Sequence, residues 1–113
     1  MQSILSSIKK LIGIGEEDES FDADIIMAIN TALAGLIQMG VGPPEGYAIQ
    51  DKTATWENFL GTGSNLENVK SYVYLKTRLL FDPPTSSALL DSLNNVLGEL
   101  EFRIYVQADN RTI

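Results

Sequence analysis

Six acidic residues crowd one short stretch of the chain: Glu16, Glu17, Asp18, Glu19, Asp22 and Asp24. Carboxylate oxygens in such numbers are what a hard cation binds, but the spacing is wrong for it. A calcium-binding helix-loop-helix loop needs oxygen ligands at alternating positions, a central glycine and a bidentate Glu at its twelfth position, and the glycine is missing. A solvated connection whose acids favour the positive start of a helix accounts for the run better. Two glycine pairs, Gly13-Ile14-Gly15 and Gly61-Thr62-Gly63, suggest phosphate cradles, and neither is completed. The dinucleotide fingerprint requires a third glycine between a strand and a helix, and the P-loop requires Gly-Lys-Ser/Thr. Both pairs read as helix terminators. Asn110-Arg111-Thr112 matches the glycosylation tripeptide, a match that is frequent by chance and has meaning only in a secreted protein. The 113 residues include no Cys and no His, which removes disulfides, thiolate nucleophiles, the usual zinc sites and imidazole acid-base chemistry. No catalytic, metal-ligating or cofactor-binding set can be assembled from what remains, so the expectation is a protein that is not an enzyme and needs no cofactor.

What the chain does have is helical periodicity. Ile4, Leu5, Ile8, Leu11 and Ile12 share one face of a short amphipathic helix over residues 2–12, ended by Gly13 and Gly15. Ser20 or Asp22 is placed to cap a second helix, with the stripe Phe21, Ile25, Ile26, Ile29, Leu33, Leu36 and Ile37. Ala28 and Ala32 leave narrow positions for a close neighbour, and Gly40 marks the end. Residues 40–50, with three glycines and Pro43-Pro44, form a loop. Thr53 or Thr55 caps a short helix carrying Trp56, Phe59 and Leu60. Ser64-Asn65-Leu66-Glu67 matches the capping box and announces a long helix through Val69, Tyr72, Val73, Lys76, Leu79 and Leu80. Asp82-Pro83-Pro84 stops it near Phe81, because proline lacks the amide donor and disfavours helical backbone in its predecessor.

Thr85 or Ser86 then caps a last helix with the stripe Leu89, Leu90, Leu93, Val96, Leu97 and Leu100. Beyond it, Phe102, Ile104 and Val106 alternate with Arg103 and Tyr105, a pattern open to a fraying helix end or an extended arm. The expected fold is therefore all-α: a small bundle of about four main helices plus one short helix, with an extended C-terminal arm. Residues 1–105 make the helical domain and 106–113 the arm or tail. Asp82, Pro83 and Pro84 form the corner between the last two helices. Trp56 reads as a core residue covering one end of the bundle, or as an exposed binding anchor. Lys70, Lys76 and Arg78 read as a solvated face.

Composition narrows the partners. With 44% hydrophobic and 20% charged residues the chain can bury one modest core, to which association with other subunits would add stability. Its net charge of -7 suits neither a DNA clamp nor a repressor, because Lys and Arg are what grip the phosphate backbone. Apolar residues near the start are interrupted by Ser6, Ser7, Lys9 and Lys10, so neither a signal peptide nor a membrane span is expected, and synthesis in the cytoplasm is the default.

The stretch Val69-Lys70-Ser71-Tyr72-Val73-Tyr74-Leu75-Lys76-Thr77-Arg78-Leu79-Leu80-Phe81-Asp82-Pro83-Pro84, followed by a capped helix reaching Glu99-Leu100-Glu101-Phe102-Arg103, resembles the head-tail connector (adaptor, or head-completion) proteins of tailed bacteriophages. The order of elements agrees from Met1 to about Arg103, with residues 69–84 the strongest part. These residues form a packing and turn motif with no catalytic signature. The resemblance implies a homo-oligomeric ring of about twelve copies in the virion neck, made in the host bacterial cytoplasm. Such a ring sits below the portal protein and docks a stopper or tail-side neck protein. It lets DNA pass through an acidic or neutral lumen without specific binding, and it has no membrane partner. The residues expected at partner interfaces are Trp56, Tyr105, Val106, Arg111 and Ile113. The alternative reading is a small helical regulatory protein that binds a host or phage protein.

Overall fold

Among the described residues five helices follow one another: α1 (Ile4–Ile12), α2 (Asp22–Gln38), α3 (Trp56–Leu60), α4 (Leu66–Phe81) and α5 (Ser87–Arg111). The computed structural model describes residues 2–61 and 65–111, the last four by their backbone alone. The architecture is the expected all-α bundle. α2 and α4 form its centre, with α1 against both and α5 returning along α4. Ile25, Ile29, Leu33 and Leu36 of α2 and Val69, Tyr72 and Val73 of α4 are buried together, with Ile4, Leu5 and Ile8 of α1 on the same core.

The ends of the helices show which local signals prevailed. Ser3 caps α1, its hydroxyl accepting from the Ser6 amide, and Gly13 closes it at φ 87°. Thr55 caps α3 in a complete capping box: its side chain accepts from the Asn58 amide, and the Asn58 side chain accepts from the Thr55 amide. Ser86 caps α5 by accepting from Leu89, and α4 ends at Phe81, immediately before Asp82-Pro83-Pro84. The other caps differ from expectation. α2 starts behind Phe21 with no side-chain cap, because Asp22 is drawn into an ion pair with Lys9. At the start of α4 the cap position falls on Asn65, in the left-handed region at φ 82°, where asparagine is one of the few tolerated side chains. The capping box expected at Ser64 rests on a residue outside those described.

Irregular segments are tied down by a few hydrogen bonds. The amide of Ile4 donates to Ala54 and that of Trp56 to Gln2, pinning the N-terminus to the strand-like entry of α3. Trp56 is itself buried, and its indole N–H donates to Ser7 at 3.2 Å. The Gly-Pro loop is held by Asn30, whose side-chain amide donates to Ile49 O and accepts from Ile49 N.

The C-terminal segment is a correction to the expected arm. α5 continues without a break to Arg111, across the boundary placed at residue 105. Leu97, Leu100 and Ile104 are buried at three- and four-residue steps, so the helical period persists beyond Leu100. The alternation of Phe102, Ile104 and Val106, open to a fraying helix end or an extended arm, is one buried residue with two exposed ones on a helix.

One contact joining α4 to α5 carries a pH signature. The Tyr72 hydroxyl lies 3.5 Å from Glu101 Oε2, and burial, reinforced by that carboxylate, pushes its pKa up to about 12. The fold thus favours the neutral phenol. Its contribution is complete below the unfolded value near pH 10 and is lost as the pH rises toward 12. An ultraviolet titration should show the Tyr72 phenol ionising late, and Tyr72→Phe should remove both that step and part of the alkaline loss of stability. A titration unchanged by Tyr72→Phe above about pH 11 would contradict the arrangement.

Candidate functional site

The candidate sites of this chain are surfaces, built where the helices leave apolar side chains uncovered. The first lies where the α1–α2 connection meets the end of α4. Phe21 precedes α2 and stacks edge-on against Phe81, the last residue of α4, with ring centroids 5.7 Å apart. Beside this pair opens a groove of about 740 Å³, with Ala28 and Ile14 in its floor and Met27 and Leu80 on its walls. Met27 is 70% exposed, Leu80 is 53% exposed and Phe21 is 45% exposed. Periodicity assigned Phe21 and Leu80 to apolar stripes; the structure places them at the edges of those stripes, where no helix covers them. Asp24 and Asp82 are the ionisable residues of the lining, so a mainly apolar groove carries acidic side chains and no basic one.

The second surface is α5. Between Ser87 and Val96 it presents only half-buried Leu90 and Leu93, while Leu89 and Val96 of the expected stripe are exposed. Further along, Phe102 (69% exposed), Tyr105 and Val106 stand on the side of the helix away from Leu97, Leu100 and Ile104. Tyr105 and Val106 were expected at a partner interface and are available for one. Trp56 is not: it is core, so the exposed-anchor reading is corrected by its burial. The side chain of Arg111 and all of Ile113 lie outside the described residues. Asp82, Pro83 and Pro84 make the corner between α4 and α5, with Asp82 also lining the groove.

The charged residues have specific local duties. Lys9 is 2% exposed, and its ammonium donates to the backbone oxygens of Glu16 (3.1 Å) and Asp18 (2.7 Å). Asp22 Oδ1 lies 2.8 Å away as an ion pair without hydrogen-bond alignment. The acidic connection is therefore more than a solvated run, since one buried lysine shapes its backbone. Its signal in the sequence is Lys9 itself, four residues after Leu5 on the apolar face of α1 and just ahead of the acids. Asp18 is further held by hydrogen bonds from Ser20, which keep its carboxyl below the usual range. Among the described residues no group of three or more acidic, His or Cys side chains is placed to hold a metal ion. Lys70 donates to Gln2 and Arg78 to Tyr74, so two of the three basic residues on α4 have internal partners. No helix among the described residues is long and apolar enough to cross a membrane.

A family model described as phage connector protein matches residues 4–111, nearly the whole chain. No curated protein and no solved structure matches it.

Proposed function

Because the chain belongs to the phage connector protein family, a structural component of the phage neck, we propose that it is the head-tail adaptor subunit, working without catalysis as a homo-oligomeric ring. The ring, of about twelve copies, sits below the portal protein and docks a stopper or tail-side neck protein. The observation that carries this reading is the family match over residues 4–111, and the exposed apolar side chains of the groove and α5 support it. A 113-residue chain that leaves Phe21, Met27, Leu80, Phe102 and Tyr105 in water gains most from assembly, because such patches on a small subunit are the ones that association removes from solvent.

Net charge of -7 gives the ring its second property. A lumen without basic clusters repels the DNA backbone weakly, so the duplex slides through instead of being held. Subunits of this kind are made in the host cytoplasm and end in the virion neck. The reading is tested by whether a portal particle takes up many copies of the chain or none.

A further inference from the structure

We propose that the groove between the α1–α2 connection and the end of α4 receives the outer face of the distal α5 of a second copy, so that copies join head to tail. This deepens the ring reading above and rests on it. The two apolar surfaces are unlike in shape: one is a groove of about 740 Å³, the other a ridge on a helix. Phe102 and Val106 are one turn apart on that ridge, with Tyr105 beside them, the spacing by which a helix anchors in a groove.

The charges match as well. Asp24 and Asp82 line the groove with no base among its lining residues, while Arg103 stands on the flank of α5 next to the ridge of Phe102 and Val106. The Arg103 guanidinium is 3.9 Å from Glu99 on an exposed surface, a pair weak enough to give way to a better one. Residues 102–113 hold two arginines and one acid, against fourteen acids and six bases in residues 1–101. The end of α5 beyond Glu101 is thus the least acidic part of the subunit.

Position supplies the third argument. The groove lies at the C-terminal end of α4, at Leu80 to Asp82, whereas Tyr72 already faces Glu101, so the ridge beyond Glu101 lies toward the opposite end of α4. A chain cannot fill its own groove with this ridge. Unlike surfaces at opposite ends of one subunit generate a heterologous interface, which closes into a ring when the rotation between copies closes.

The absence of cysteine makes the test direct, because introduced thiols are the only ones present in the chain. Met27→Cys lies in the groove and Val106→Cys on the ridge, both at exposed positions that the fold tolerates. Mixed in equal amounts, assembled on portal and mildly oxidised, the two single variants should give disulfide-linked dimers, and neither should do so alone. The double variant should give a ladder of linked multimers. Arg103→Glu should weaken association by roughly tenfold at low salt, and adding Asp82→Lys should restore much of it. Rings that form without the mixed link, or Val106→Cys linking to itself, overturn this inference and leave the ring reading standing. Absence of any oligomer of the parent chain, with portal or without, overturns both.

Discussion

Lys9→Met should lower the stability of the folded subunit by about 2–4 kcal/mol, which for a domain of this size moves its melting temperature by roughly 10 °C or more. Methionine keeps most of the volume at this buried position and removes the charge. Two backbone oxygens, Glu16 O and Asp18 O, then lose the donor they share, and the Asp22 carboxylate loses its counterion. A buried acceptor without its partner costs about 1–3 kcal/mol, and an ion deprived of its counterion in a partly buried site costs more. Because residues 16–20 are exposed, water can reach some of these oxygens, which keeps the loss below what a dry site would give. Lys9→Arg should fail to rescue fully, since a planar fork cannot aim three donors where one ammonium does. The damage reaches the docking surface. Ile14 and Phe21 of the groove stand at the two ends of the connection that Lys9 holds, so the variant should also associate less well. Thermal unfolding of the parent and both variants measures this, and a Lys9→Met melting temperature within a degree of the parent would show that the buried ammonium does not organise the connection.

Gly42→Ala is the second large effect expected, at about 3 kcal/mol, and its cause can be separated from ordinary glycine effects. Gly42 has φ 87°, where an L side chain costs about 1–2 kcal/mol. An added Cβ would also stand 2.5 Å from Phe59 Cε1 and 2.6 Å from Cζ. Phe59 is buried and packed against the Tyr47 ring, 5.5 Å between centroids, so it cannot step aside cheaply, and overpacking of this kind costs about 1–3 kcal/mol. Gly13 is the control, having the same φ and nothing within 4 Å of its added Cβ. Gly13→Ala should therefore cost only the backbone part. Denaturant unfolding of the two variants tests the contact: equal losses would mean that the Phe59 ring does not press on Gly42.

Much of the fold was legible because its strongest signals are covalent or local. Asp82-Pro83-Pro84 ends α4 whatever the rest of the chain does, and the stripes of α2 and α4 fall on the core with the three- and four-residue steps that a helix imposes. Signals settled by partners were less legible. Asp22 is a good cap in isolation, but the buried Lys9 competes for its carboxylate. The run Phe102 to Val106 fits two periods, and only the packing of Ile104 against the core decides for the helix. The groove was illegible for a different reason. Periodicity tells which side chains share a face, and Phe21, Met27 and Leu80 became a surface only because no other helix of the subunit covers their outer sides. Tyr105 and Val106 were legible as exposed because they follow the last strong stripe, whereas Trp56 needed Ser7 and the N-terminal segment to place it inside.

If this chain is a ring subunit of the phage neck, the mass of the particle it forms with purified portal shows it. Each chain adds 12.4 kDa. The account predicts a portal particle heavier by a whole multiple of that mass, on the order of a dozen copies and so on the order of 150 kDa in total. A portal whose mass is unchanged, or that gains a single chain, would contradict it.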